Sequence, residues 1–298
     1  MDKRKTTTKK TESVARHDDG TLEINLSIDW ADIERGMETT AKKMGQDVMV
    51  PGFRKGKAPV EQLLKHFSKD ELTENTIKRM LPLLYNEAVK KHNLRPIMYP
   101  KFEIVKAVEG EDWQIRVKTC EMPKIELGDY KKEIRGAISA GTIWTPEKGI
   151  SEADKDKKEI SREEREQLAI DALLNSVKFE IPSILTDEEV NSRLANLLER
   201  IEKLGLSLDT YLGSINKTPD TLREEYRQAA ERTIKLDMLL GIIANEENID
   251  VTEEEIKAFI EASRADPKLA HELESEEKKA IIKTIIKKRK VIEMLSSL

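Results

Sequence analysis

The sequence predicts an α+β N-terminal domain, a small antiparallel sheet with helices, followed by an all-α C-terminal domain with helical arms. Three observations predict it. Leu22, Ile24, Leu26 and Ile28 alternate with Thr21, Glu23, Asn25 and Ser27, the period of a half-buried strand. Trp113, Ile115, Val117 and Thr119 repeat that alternation against Gln114, Arg116 and Lys118, and helical spacings lie between the two segments. From Ser161 onward the apolar residues recur only at helical spacing. The whole chain is 37% charged and 4% aromatic, the composition of long solvated helices with aliphatic seams.

Taken in order, residues 1–19 are rich in Lys, Arg and Thr and read as a disordered basic tail. Residues 20–122 form the α+β domain. After the first strand, Ile33, Met37, Ala41 and Met44 mark a helix from about Trp30 to Asp47; a short helix is expected at Val60 to Phe67. Ser68 with Glu71 is a capping box opening a long helix through Leu72, Ile77, Met80, Leu84 and Val89, in which Pro82 should introduce a kink. Strands at Lys101 to Val108 and Trp113 to Cys120 close the sheet. Residues 123–160 hold Pro123, Gly128, Gly136, Gly141, Pro146 and Gly149 and a polar run, the composition of a linker or extended arm.

Residues 161–298 make the helical domain. Capping signals stand at Ser161 with Glu164, at Thr186 with Glu189, at Thr218 with Pro219, and at Thr252 with Glu255. A last helix begins near Ser275. Because these signals are local, a piece beginning at residue 151 is expected to fold alone. Connections this short make the helices antiparallel neighbours in a bundle-like or arm-like assembly.

The net charge of −5 hides an asymmetry: residues 1–145 carry 27 Lys+Arg against 23 Asp+Glu, a net of +4, and the remainder carries −9. The front half is the better side for an anionic partner. Cys120 stands alone, so no internal disulfide forms; it reads as a core strand residue. The N-terminus is polar and basic with no signal-peptide core, and the apolar run Met238 to Ala244 is far shorter than the roughly 20 residues of a membrane span. The expectation is a cytoplasmic protein without a membrane partner. His17, His66, His92 and His271 fit no ligand spacing, so neither metal nor cofactor is expected. No phosphate loop or nucleophile elbow is present in the sequence, so no catalytic residue is assigned. The run Lys287 to Lys290 suits either RNA or a solvated helix face.

One segment combines chemistry with shape. Val50 to Pro59 reads VPGFRKGKAP: prolines stiffen its ends, glycines let the chain turn, and Phe53 stands among Arg54, Lys55 and Lys57. An aromatic wedge flanked by cations suits an RNA or mixed RNA and protein surface. The other reading is that Phe53 tucks onto its own domain and the cations are merely solvated.

The run Gly52-Phe53-Arg54-Lys55-Gly56-Lys57-Ala58-Pro59 resembles the ribosome-docking signature of trigger factors. Cys120 to Leu127 is similar to the segment leaving that family's N-terminal domain. Ile181-Pro182, Glu188 to Val190, Gly205 to Leu212, Thr218-Pro219, Glu247 to Ile249 and Thr252 to Ile256 resemble its C-terminal helical domain. The resemblance implies a ribosome-binding loop in which Phe53, Arg54 and Lys55 make the principal contacts, Gly52 and Gly56 shape the turn and Lys57 assists. It implies as partners a protein at the rim of the polypeptide exit tunnel, the adjacent ribosomal RNA, and nascent or unfolded polypeptides held between helical arms. Relatives also form homodimers when free.

Where most members of that family insert a prolyl isomerase domain, this chain offers only Glu133 to Ile160, with Trp144 as its sole aromatic. The resemblance therefore implies an ATP-independent chaperone and no enzyme. The alternatives are a prolyl isomerase by inheritance and a ribosome-bound factor without chaperone action.

Overall fold

The computed structural model describes residues 12–142, 161–262 and 275–298, which fall into two compact units. The first comprises the chain to Pro123 together with Pro182–Leu185; the second comprises Lys124–Ile181 and Thr186–Leu298.

The first unit is a four-stranded antiparallel sheet, β1 (Glu12–Arg16), β2 (Thr21–Ile28), β3 (Lys101–Lys106) and β4 (Trp113–Cys120), in the order β1-β2-β4-β3. Register sets Ile24 beside Val117 and Leu26 beside Ile115, so one face of the two central strands is apolar apart from the buried Thr119 opposite Leu22. That face packs on α1 (Trp30–Met44) and α3 (Lys69–Lys91) through Ile33, Leu81, Tyr85 and Ala88. Trp30 meets Trp113 edge to face at 6.4 Å. Ser68 caps α3 by accepting the Glu71 amide hydrogen at 3.2 Å, and the helix runs continuously through Pro82. A second small core of Ala41, Val50, Leu63, Phe67 and Leu72 joins α1, α3 and the short α2 (Val60–His66).

The tail expected over residues 1–19 needs correction, because Glu12–Arg16 is the edge strand β1. Val14 packs on the sheet core, and Glu12 accepts from Lys91 at 2.8 Å. This strand owes its existence to pairing with β2 across the turn at His17–Gly20, a non-local cause that its polar composition conceals. Residues 1–11 of that expected tail lie outside the described residues.

The second unit is helical. Its main core gathers α4 (Tyr130–Thr142), α5 (Arg162–Ser176), the end of α8 (Pro219–Glu246) and the end of α10 (Glu276–Ser296), with Ile134, Leu173, Leu239, Ile243 and Leu295 fully buried. Helix α4 corrects the linker expected at 123–160. Tyr130, Ile134 and Ile138 recur every four residues and Asp129 accepts the Lys132 amide hydrogen, but Gly136 and Gly141 mask this periodicity. The 143–160 part of that expected linker, Trp144 included, lies outside the described residues, as does His271.

Two extensions leave this core. Helix α6 (Ser183–Lys203), α7 (Leu208–Ser214) and the first half of α8 bury Val190, Ile201, Leu212, Leu222 and Ala230. Helix α9 (Glu253–Ala262) packs on the start of α10 through Ile256, Ile260 and Ile282. The expected caps hold at Ser161, Thr218 and Thr252, and Ser207 caps α7. Thr186 is different: it is buried inside α6, which begins three residues earlier at Ser183.

Candidate docking loop

The loop from Val50 to Pro59 is held by its ends. Val50 is buried in the second core and Ala58 is partly buried against it. Between them the backbone makes two successive tight turns. The Phe53 amide donates to the Val50 carbonyl at 3.0 Å around Pro51 and Gly52, and the Lys57 amide donates to the Arg54 carbonyl at 2.9 Å around Lys55 and Gly56. Gly52 (φ 84°) and Gly56 (φ 74°) occupy the third position of each turn, where positive φ is required and a side chain is disfavoured. Repeated Gly at that position explains why this stretch turns instead of extending α1.

The geometry bears on the two sequence readings of Phe53. The residue is 39% exposed and joins none of the buried clusters, although both ends of its loop, Val50 and Ala58, pack in the second core. Arg54, Lys55 and Lys57 are exposed. Lys55 Nζ lies 3.5 Å from Asp47 Oδ1, a solvent-screened surface pair worth about 0–1 kcal/mol at most. Among the described residues the side chains of Arg54 and Lys57 make no ion pair. The surface thus offers an apolar ring, a forked guanidinium and two ammonium groups on a backbone fixed by turns. That combination can grip phosphate or carboxylate while burying one aromatic anchor.

Met49 belongs beside these residues and was not anticipated. It precedes the buried Val50 and is 76% exposed, so it extends the apolar part of the surface. The sequence carries no signal for it, because Val48, Met49 and Val50 are all apolar and only their burial differs.

The second basic candidate resolves the other way. Lys288 pairs with Asp237, Lys290 with Glu255 at 2.6 Å and Arg289 with Glu293 at 3.4 Å; Lys290 also donates to the Asp250 carbonyl at 3.0 Å. Lys288 and Lys290 thus tie α10 to α8 and α9, while Arg289 pairs within α10. Among the described residues no cluster of His, Cys, Asp and Glu could hold a metal ion, and no helix is long and apolar enough to cross a membrane.

Comparison with known proteins agrees with this layout. Residues 10–139 match the family model for the bacterial trigger factor protein, and residues 148–297 match the model for its C-terminus. A trigger factor of Clostridium botulinum (strain Kyoto) is 21% identical over 410 residues, covering 92% of this chain and 95% of the relative. One from Lactococcus lactis (strain IL1403) is 33% identical over 108 residues, 36% of this chain and 25% of the relative. A solved structure described as "Promiscuous Substrate Recognition in Folding and Assembly Activities of the Trigger Factor Chaperone" shares the fold, with a TM-score of 0.62 at 15% identity over 96% of this chain and 99% of the other.

Proposed function

Since this chain belongs to the trigger factor family of ribosome-associated chaperones, we propose that it docks at the polypeptide exit tunnel through Gly52–Lys57 and shields apolar segments of emerging chains without ATP, metal or enzymatic chemistry. The observation that carries the docking residues is the exposed Phe53 beside Arg54 on a doubly turned loop. Phe53 supplies the buried anchor, Arg54 grips a carboxylate or phosphate in a forked way, and Lys55 and Lys57 add charge. Gly52 and Gly56 are positioning residues. The partner surface is then a protein at the tunnel rim with the adjacent ribosomal RNA.

Two facts support a chaperone that has lost isomerase chemistry. Only residues 140–147 separate the two family matches, and the Clostridium botulinum match runs over 410 residues against a chain of 298. More than a hundred positions of that match have no counterpart in this chain. Work in the cytoplasm and a homodimeric state off the ribosome are part of the same reading. The deciding experiment is co-sedimentation with ribosomes, beside an aggregation assay on an unfolded client and a prolyl isomerisation assay. Binding with suppressed aggregation and no rate acceleration is the expected result; ribosome binding without suppression would leave a bound factor with no chaperone action.

A further inference from the structure

Of the methionines among the described residues two are exposed, Met49 at 76% and Met122 at 46%. Met37, Met44 and Met80 are partly buried against the cores of the first unit and Met294 against that of the second, Met98 is half-buried, and Met238 is buried. The presentation of Met49 is fixed by its neighbours. Val50 is buried in the second core and Val48 is partly buried against it, so the chain is fastened on both sides of Met49 while its own side chain joins no cluster. Met49 immediately precedes the turn that Phe53 closes onto the Val50 carbonyl at 3.0 Å, and such a turn brings its end residues within about 7 Å of each other. The exposed thioether and the exposed ring therefore stand at the two ends of one tight turn.

The thioether is also the sulfur that an oxidant can reach. Cys120, the single cysteine, is fully buried. A peroxide converts a methionine to its sulfoxide: the sulfur attacks one peroxide oxygen, an S–O bond forms as the O–O bond breaks, and the sulfur loses two electrons. The peroxide is reduced, and its other oxygen takes up the displaced proton and leaves as water. An apolar, flexible chain end becomes a polar one. On a surface open to water this change is nearly neutral, but under a docked partner the sulfoxide oxygen loses its water and is left without a donor.

We propose that Met49 is a second apolar contact of the docking surface and a redox switch on it, in which a peroxide releases the protein from its docking partner by forming the sulfoxide. A sulfoxide reductase restores docking at the expense of a dithiol, which is oxidised to a disulfide as the sulfoxide oxygen leaves as water. This rests on the docking reading above and adds regulation to that same loop.

The test treats the full chain briefly with hydrogen peroxide, removes the peroxide with catalase and measures co-sedimentation with ribosomes, while peptide mass spectrometry reads the sulfoxide at each methionine. Met49 should oxidise ahead of the partly buried methionines. Ribosome affinity should fall about tenfold, a change worth about 1.4 kcal/mol, with an unchanged melting temperature. Met49→Leu should bind like wild type and keep its affinity after peroxide, whereas Met122→Leu should lose affinity as wild type does. Met49→Gln, which puts a polar group at the same place, should bind weakly without any oxidant. Reductase with dithiothreitol should restore the oxidised wild type, and a pulse of peroxide given to the ribosome-bound protein should spare Met49. Full binding by wild type that carries the Met49 sulfoxide, or equal loss of binding in peroxide-treated wild type and Met49→Leu, overturns the switch and leaves docking through Phe53 standing. Oxidation of Met49 at the same rate on and off the ribosome overturns its place in the interface. An untreated wild type that does not co-sediment removes the docking reading and the switch with it.

Discussion

The Asp19 carboxylate accepts the Ser183 amide hydrogen at 3.2 Å, joining the turn between β1 and β2 to the first residue of α6 across 164 positions of sequence. The same carboxylate takes the Thr21 amide at 2.9 Å and the Thr21 hydroxyl at 2.8 Å. It therefore serves both a tight turn and the exposed amides of a helix start. Partial burial pushes the Asp19 carboxyl up, but the donors on Thr21 and Ser183 outweigh burial and hold it below the ordinary aspartate value of 3.8.

The first prediction follows from that direction of shift. A carboxyl depressed in the folded state contributes stability that is complete above its unfolded pKa and fades as pH falls through the folded value. Asp19→Ala should lower the melting temperature at pH 7 by an amount matching about 1 kcal/mol, typical of a lost helix cap. The gap to wild type should close as pH drops below 3.8. Melts at stepped pH decide it: a gap that persists at low pH would mean that packing, not the charged form, is what Asp19 contributes.

This relationship also shows where the sequence stops being readable. Strands β2 and β4 and the caps at Ser68, Ser161 and Thr218 are set by residues within a few positions, and each was legible from spacing alone. The start of α6 was misplaced at Thr186 because part of its capping comes from Asp19, which no local pattern can reveal. Strand β1 was missed for a similar reason, since its polar residues extend only by pairing with β2. At the candidate site, the turn glycines and cations were legible as composition, but whether Phe53 faces outward depended on what fills the core beneath it. Ala41, Leu63, Phe67 and Leu72 fill that core without Phe53.

Replacing Phe53, Arg54 and Lys55 together with Ala should abolish co-sedimentation with ribosomes while shifting stability by less than about 0.5 kcal/mol, because all three lie outside the buried clusters. Loss of two cations should also flatten the salt dependence of any residual binding. Arg54→Lys should rescue only in part, since an ammonium lacks the fork. A melting temperature that collapses in the triple variant would place Phe53 in the domain's own core.

The turn glycines should respond differently from the side chains they present. At Gly52 an added Cβ meets nothing within 4 Å, so Gly52→Ala suffers only the backbone cost of positive φ, about 1–2 kcal/mol. At Gly56 the Cβ would also come within 3.3 Å of the Gln46 carbonyl oxygen. Gly56→Ala should therefore be the more destabilising of the two, and both should weaken ribosome binding by relaxing the turns. Equal melting temperatures for the two variants would argue that the Gln46 segment yields freely.

Cys120 is fully buried, and burial, helped slightly by the nearby Asp19 charge, pushes its thiol up to about 12. Almost no thiolate forms at neutral pH, and it is the thiolate that reacts. Iodoacetamide at pH 8 should leave the native protein unmodified and alkylate it quickly in denaturant. Fast labelling of the native form would reveal an opening of the β4 end of the sheet.

The boundary of the helical unit yields the last prediction, because α4 changes what a self-sufficient fragment must contain. Residues 151–298 hold the capping signals at Ser161, Thr218 and Thr252, and local signals alone would make that fragment fold. Yet Leu127, Tyr130 and Ile134 are buried with Leu173, Leu239, Ile243 and Leu295, so a fragment starting at 151 removes three large side chains from one core. Truncating a single such residue commonly costs 2–5 kcal/mol, and domains hold only about 5–15 kcal/mol in total. Tyr130 adds a hydroxyl that donates to Glu247 at 3.1 Å, while Lys131 pairs with the same carboxylate at 2.7 Å, which fastens α4 to the end of α8. Residues 124–298 should therefore melt cooperatively, whereas 151–298 should keep helical circular dichroism but lose a sharp transition and bind a hydrophobic dye. In the longer fragment Ile134→Ala should lower the melting temperature strongly and Tyr130→Phe only mildly, by about 0.5–1.5 kcal/mol, since Glu247 keeps Lys131. Burial first, and then the Glu247 carboxylate, hold the Tyr130 hydroxyl up to about 12, above its ordinary value of 10.0. Its contribution is complete below pH 10 and fades as pH rises toward 12, so the tyrosine-to-phenylalanine gap should shrink in alkali. Cooperative melting of the 151–298 fragment with the same sharpness as 124–298 would mean that α4 only decorates a core able to close without it.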